Sequence, residues 1–159
     1  PPPPPPPPPS FFFHPDDGIP YPLWSRGLGD VYKRQAIHAL AYPIGGHFKI
    51  PHGLSNALVL AHVLRFNSTV APVPYAEIAP YVFPKLAEMG TQEAAAAFAE
   101  EMAALVARCG LETRLRDVGI PADALDLLAR DAMNQTRLLV NNPRPVDEGN
   151  ARTIYQAAW

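Results

Sequence analysis

The sequence has a single cysteine, Cys109, in its 159 residues, and this scarcity excludes an internal disulfide. It also has little net charge, since 13 basic and 15 acidic side chains leave a formal charge of −2. So small a charge excludes the basic surface by which proteins bind nucleic acid or anionic membranes. No apolar run has the length of a membrane-spanning helix, and the N-terminus lacks the pattern of a signal peptide. We therefore expect a soluble, cytoplasmic protein without nucleic-acid or membrane partners.

The composition changes sharply near residue 35. Residues 1–35 hold more than half of the 21 prolines, among them the run of nine at the start, and the run of three phenylalanines. Residues 25–35 can be back-translated into a DNA string that resembles the transposase mosaic-end adapter of sequencing libraries, and residues 14–21 resemble its flow-cell primer in the same frame. We therefore interpret residues 1–35 as a non-native, disordered translated adapter, to be excluded from arguments about the fold. The alternative is a stiff polyproline tail that binds SH3-type domains.

Residues 36–159 predict an all-α fold, because no run alternates with the two-residue period of a strand. A first helix is expected to end at Tyr42, since Pro43, Gly45, Gly46 and Pro51 should prevent its continuation. The next helix should be buried, because it is apolar on nearly every face. Further helical segments are predicted, with a kink or split at Pro80 and Pro84, an N-cap at Thr91 and a C-terminal glycine at Gly110; the helices after the first cover residues 53–66, 75–89, 94–107, 115–118, 122–133 and 147–158.

His38 and His52 are the side chains with the clearest chemical potential. The broken segment between them means that the two imidazoles come from separate stretches of backbone, which a tight loop can bring together. Imidazole is a common ligand of iron and zinc, and a catalytic metal site needs three or four ligands. On spacing alone, a pair of hydrogen-bonded core histidines is the better interpretation.

The sequence around these histidines changes that balance. Residues 38–57 read HALAYPIGGHFKIPHGLSNA. This string resembles the signature of the iron-containing alcohol dehydrogenases: a histidine, small residues, Pro-x-Gly-Gly, and then Pro-His-Gly-x-x-Asn-Ala. Residues 63–67 and 142–146 continue the resemblance, which covers essentially all of residues 36–159. The resemblance implies that these residues are a partial helical metal-binding domain, bundle-like, from the C-terminal part of that fold.

The resemblance also implies a function. His38 and His52 match two metal ligands for Fe²⁺ or Zn²⁺, and the other two, an Asp and a His, would lie on a helix before Ala36. The parent protein would be a homo-oligomeric, NAD- or NADP-linked dehydrogenase that interconverts a small alcohol and an aldehyde or ketone. The glycine-rich cofactor site would lie in a separate domain, so we expect the fragment alone to be inactive.

Other polar residues receive weaker assignments. Tyr42 stands where many family members have a second histidine near the substrate, so its hydroxyl is a candidate catalytic group; packing beside Pro43 is the alternative. His47 is expected in a loop, with a position facing the substrate cleft as the alternative, and His62 is expected to be a satisfied core histidine. Cys109 is expected to have a structural role. The two carboxylates Glu100 and Glu101 are expected on a solvated helix face.

Two alternative functions remain. A maleylacetate reductase-like member of the same family would resemble this domain, although Gly53 after His52 argues modestly against it, because those enzymes tend to have alanine there. The other alternative is a non-catalytic helical binding module with buried histidines. Metal binding discriminates a binding module from a metal-dependent enzyme, since the stability of a binding module should not change when iron or zinc is added.

Overall fold

The structure is a computed structural model that describes Phe11–Phe13, Pro20–Pro22 and residues 35–159. The chain divides into two compact units, residues 1–31 and 32–159. In the first unit, β1 (Phe11–Phe13) pairs antiparallel with β2 (Pro20–Pro22). These short strands are paired, where the sequence predicted disorder. The remainder of the predicted adapter, residues 1–10, 14–19 and 23–34, lies outside the described residues, so the adapter interpretation stays a prediction.

The second unit is helical, and no strand occurs between residues 35 and 159, which confirms the predicted all-α class. Short 3₁₀ turns at Pro84–Leu86, Leu115–Val118 and Ala122–Ala124 connect longer helices. The α-helices are α1 (Gln35–Phe48), α2 (His52–Ser68), α3 (Val73–Val82), α4 (Thr91–Arg108), α5 (Leu125–Ala132), α6 (Thr136–Leu139) and α7 (Glu148–Ala158).

Helix α1 departs from the prediction, because it continues through Pro43 as far as Phe48. A proline inside a helix removes one hydrogen bond and crowds the preceding turn. The buried face of α1 offsets this cost, since Leu40, Ala41 and Ile44 are completely enclosed by neighbouring helices. The next residue, Lys49, ends the helix. It has a left-handed φ of 59° and donates its backbone N–H to Gly45 O at 3.1 Å.

The later helices follow some of their sequence signals: the stretch predicted over 75–89 is split before Pro84, whereas α3 continues through Pro80 as far as Val82. Asp147 caps α7 by accepting the backbone N–H of Asn150 at 2.7 Å, as the predicted helix start required. Gly110, with φ 73°, ends α4 as predicted. The N-cap prediction at Thr91 was wrong, because Gly90 holds the extended cap position and Thr91 is the first helical residue.

Two apolar clusters share helix α2. The larger cluster lies between α1, α2, α5 and α7, and the smaller joins α2 to α3 and α4. In α5 the buried residues recur at the helical spacing of three and four, which places one apolar face against the core; they are Leu125, Leu128, Ala129 and Ala132. The prediction that α2 is a buried helix is therefore confirmed from Ser55 onward, whereas His52 and Gly53 at its start are exposed.

Candidate functional site

His38 and Tyr42 lie four residues apart on α1, so their side chains project from the same face of the helix. His38 is partly buried and the Tyr42 ring is about half exposed, at 48%. This common face exists because α1 remains helical through Pro43. The sequence predicted both residues, but it placed Tyr42 at the end of the helix and not in its middle.

A tight reversal brings His52 against this face. The chain turns at Lys49, and α2 begins at His52 immediately after Pro51. Ser55 fixes the reversal, because its hydroxyl donates to the carbonyls of Ile50 at 3.3 Å and Pro51 at 3.2 Å. Gly45 allows the close approach of the chain after the reversal, since a Cβ there would lie 3.3 Å from Ile50 O.

The three rings form one cluster. The centroids of the His38 and His52 rings lie 5.4 Å apart with their planes tilted by 40°, and Tyr42 stacks on His52 at 5.5 Å. Two imidazoles that share one tetrahedral ion, with metal–nitrogen bonds of about 2.1 Å, have ring centroids about 5 Å apart. The separation of His38 and His52 therefore fits two nitrogen ligands of one iron or zinc ion.

As metal ligands, these two histidines would supply only part of a coordination sphere. Within the described residues, no group of three or more His, Cys, Asp or Glu side chains is arranged to hold a metal ion. A catalytic zinc or iron site takes at least three protein ligands. Within the described residues, His38 and His52 alone therefore do not complete a catalytic metal site.

Asn56 is a neighbour of this cluster that the sequence did not single out. Its amide Nδ2 lies 3.1 Å from His52 Nε2, one helical turn away on α2. An amide nitrogen can only donate, so Nε2 accepts here. The Asn56 Oδ1 atom is buried without a hydrogen-bond partner among the described residues. An ion that binds His52 through Nε2 would have to displace this amide.

His47 was expected in a loop, and the structure places it in the last turn of α1. Its Nε2 atom lies 2.5 Å from Asp131 Oδ2 on α5, and both side chains are about one-third exposed. The residues around this hydrogen bond line an open pocket of about 420 Å³, to which Tyr42 also contributes. Asp131 is 84 residues from His47, so no local sequence pattern could have identified the pair.

His62 lies on α2, ten residues after His52, and contacts Arg65. Its Nδ1 atom is 3.4 Å from Arg65 Nη1, and the Arg65 guanidinium binds Glu100 through contacts of 2.6 and 2.8 Å. Burial, and then the positive charge of Arg65, lower the pKa of His62 to about 4. His62 is thus a neutral, hydrogen-bonded histidine, as expected. The exposed Glu100 forms an ion pair that the sequence did not predict.

Two further observations concern the chain as a whole. Cys109 is a free, exposed thiol at the C-terminal end of α4, consistent with the absence of a disulfide. None of the helices in the described part of the chain combines the length and the apolar character needed to cross a membrane.

Comparison with known proteins adds independent information. A profile described as "Fe-containing alcohol dehydrogenase family, C-terminal" matches residues 30–159. The chain is 38% identical to long-chain-alcohol dehydrogenase 1 of Geobacillus thermodenitrificans over 77% of this chain and 31% of that protein. It is 32% identical to lactaldehyde reductase of Escherichia coli K12 over 77% of this chain and 32% of that protein.

A solved structure gives the same result for the fold. The crystal structure of 1,3-propanediol oxidoreductase superposes with a TM-score of 0.74 and 29% identity, covering 78% of this chain and 32% of that one. The chain therefore spans about a third of the length of the relatives that it matches.

Proposed function

Because the chain belongs to the family of iron-containing alcohol dehydrogenases, we propose that it is the metal-binding part of an enzyme that interconverts an alcohol and an aldehyde or ketone. The hydride would pass to or from NAD or NADP held by another part of the whole enzyme. The observation that carries the proposal is the pairing of His38 and His52 at 5.4 Å across the reversal between α1 and α2. We place the enzyme in the cytoplasm, where Cys109 would stay reduced.

In this proposal His38 and His52 hold an iron or zinc ion together with ligands that the family resemblance places on an earlier helix. The ion, when bound, supplies a Lewis acid that lowers the pKa of an alcohol. The protein's own contribution is orientation. Packing of α1 against α2 fixes the two imidazoles, and the core bond from Tyr155 to Leu40 O holds the turn that carries His38.

We assign Tyr42 a role beside the reacting oxygen. Its ring stacks on His52 and is about half exposed, so its hydroxyl is accessible to a substrate next to the two histidines. A phenol both donates and accepts hydrogen bonds, which allows it to orient an alcohol or a carbonyl oxygen. Packing of Tyr42 beside Pro43 is compatible with this role.

Metal titration of the 159-residue chain tests the proposal. We expect Zn²⁺ or Co²⁺ to bind weakly, because two ligands are present, and we expect His38→Ala or His52→Ala to weaken binding by roughly tenfold or more. His62→Gln is the matched control, because His62 lies outside the cluster, and it should bind as the unmodified chain does. If His38→Ala and His52→Ala left the affinity unchanged, the alternative of a non-catalytic helical module would be favoured.

The whole-enzyme part of the proposal has its own test. The isolated chain should show no turnover of small alcohols with NAD or NADP, since two metal ligands and the nicotinamide site lie elsewhere. The genomic sequence upstream of Ala36 should encode an Asp-x-x-x-His helix and a glycine-rich cofactor domain. A genomic sequence that encodes residues 1–35 instead would contradict both the adapter interpretation and the assignment to a larger enzyme.

A further inference from the structure

A second cavity opens between α2, α4 and the C-terminal end of α7. Its apolar lining consists of Leu58 from α2, Val106 from α4, Trp159 next to α7 and four alanines of the same three helices. Its volume of about 340 Å³ lies in the range of pockets that bind small molecules. We call it the Arg114 pocket, because Arg114 lines it from the loop that follows α4. None of the three rings of the candidate site contributes to its lining.

The polar part of this lining carries positive charge. It consists of His62, Arg65, Thr113 and Arg114, and none of the lining residues is acidic. The Arg65 guanidinium is already bound by both carboxylate oxygens of Glu100, at 2.6 and 2.8 Å. The Arg114 side chain is exposed, and its guanidinium has no hydrogen bond or ion pair with any of the residues that the structure describes. Its five N–H groups are therefore available to an anion that enters the pocket.

His62 provides a second donor from the wall of the pocket. Its Nδ1 atom lies 3.4 Å from Arg65 Nη1, and Nδ1 accepts here because a guanidinium can only donate. Burial, and then the charge of Arg65, lower the pKa of His62 to about 4, so the ring is neutral and its single proton lies on Nε2. This N–H group has no acceptor within the described part of the chain. The pocket thus combines an unpaired cation, a neutral N–H donor and an apolar wall.

We propose that the Arg114 pocket binds a small carboxylate that carries a short apolar chain. The carboxylate accepts hydrogen bonds from the Arg114 guanidinium, whose forked donors match its two oxygens, and from the Nε2–H group of His62. The apolar chain lies against Leu58, Val106 and Trp159. A dianionic phosphate suits the pocket less well, because only one guanidinium of the lining lacks a carboxylate partner. The pocket is separate from the proposed metal site, so this inference does not rest on the proposed function.

The experiment is an NMR titration of the 159-residue chain with sodium hexanoate. It is followed at the indole N–H of Trp159, which lines the pocket and donates to Ile120 O at 2.9 Å. We expect a saturable shift of this resonance. 1-Hexanol lacks the charge and acetate lacks the apolar chain, so each should bind more weakly than hexanoate by roughly tenfold or more. Inorganic phosphate should also bind more weakly.

Two variants test the part played by Arg114. Arg114→Gln should weaken the binding of hexanoate by roughly tenfold or more, because it removes the charged donor. The exposed position of Arg114 means that this variant should keep the spectrum of the folded chain. Arg108→Gln is the matched control, since it removes the same charge from the last turn of α4, and Arg108 does not line the pocket. Its affinity for hexanoate should be unchanged.

Several results would overturn the carboxylate assignment. The absence of a saturable shift, or equal losses of affinity in Arg114→Gln and Arg108→Gln, would mean that hexanoate responds at most to the general charge of the surface. If 1-hexanol bound as tightly as hexanoate, the pocket would be an apolar groove only. Binding of acetate or phosphate at least as tight as that of hexanoate would contradict the role of the apolar wall. The metal titration remains an independent test, because neither His38 nor His52 lines the pocket.

Discussion

Tyr155 on α7 donates its hydroxyl hydrogen bond to the backbone carbonyl of Leu40 on α1, at 2.6 Å in the centre of the core. Burial raises the pKa of the Tyr155 phenol far above its usual value, so the group remains a donor. Leu40 lies between His38 and Tyr42, in the turn where Pro43 removes a helical hydrogen bond. Helix α7 therefore secures the turn of α1 that carries the candidate site.

Tyr155→Phe should lower the free energy of unfolding by about 1–2 kcal/mol, because it removes this buried bond and leaves the ring packing intact. Urea denaturation measures the change. Tyr81→Phe is the control, since Tyr81 is 89% exposed and should be neutral. A Tyr155→Phe variant as stable as the unmodified chain would mean that Leu40 O finds an equivalent donor in that variant.

Asn67 and Asn142 form a second buried tie, between the end of α2 and the loop before α7. Their amides donate to each other at 2.9 and 2.8 Å, and Asn142 also donates to Arg144 O at 2.6 Å. Asn142→Ala should cost about 2 kcal/mol, because it leaves the buried Asn67 amide unsatisfied. Asn141→Ala, at the exposed neighbouring position, should cost far less. Equal losses of stability in the two variants would contradict the importance of the amide pair.

Lys49 is strained by its left-handed backbone, with φ 59°, at the reversal between α1 and α2. Glycine adopts this conformation without a Cβ penalty, so Lys49→Gly should raise the free energy of unfolding by about 1 kcal/mol. Lys49→Ala is the matched control, because it removes the same charge and retains the Cβ. A thermal melt in which the two variants are equally stable would show that the backbone strain is not the cause.

Much of the fold follows from the sequence, for reasons that are local. The start of α7 at Asp147 and the end of α4 at Gly110 depend on side chains or φ values within a few residues, so their patterns predicted them. The path of α1 through Pro43 depends on core packing with α2, α5 and α7, which no local pattern contains. The missed short helix α6 has only four residues and no strong signal.

In the candidate site, too, the local motif predicted some residues, whereas contacts that depend on helix packing were not predicted. His38, Tyr42 and His52 lie within a motif of 15 residues, and their adjacency follows from one reversal of the chain. Asp131 reaches His47 only because α5 packs beside α1, which joins residues 84 positions apart. Asn56 lies within the longer string of residues 38–57 that carries the resemblance, but its contact with His52 depends on where α2 begins. Sequence reasoning therefore predicted the residues of the His38–Tyr42–His52 cluster and missed the contact between His47 and Asp131.

The pH dependence of stability provides a last prediction, centred on His62. Burial and the charge of Arg65 lower the pKa of His62 to about 4, whereas the unfolded chain has the ordinary value of 6.5. Between these values the unfolded state binds the proton more tightly, so stability falls as the pH decreases through 6.5 and this contribution levels off below 4. Glu100, whose pKa is lowered mainly by its hydrogen bond from Arg65, acts in the same direction at more acidic pH.

Urea denaturation at pH 7 and pH 5 separates His62 from Glu100, because Glu100 stays ionised across this interval. The unmodified chain should lose about 1 kcal/mol more than His62→Gln between the two pH values, after allowance for solvent screening of the partly buried ring. Glutamine retains a polar group beside Arg65 and does not titrate, so the comparison isolates the imidazole. Equal losses in both proteins would mean that the folded state accommodates a protonated His62, and that the guanidinium of Arg65 moves away from the ring towards Glu100.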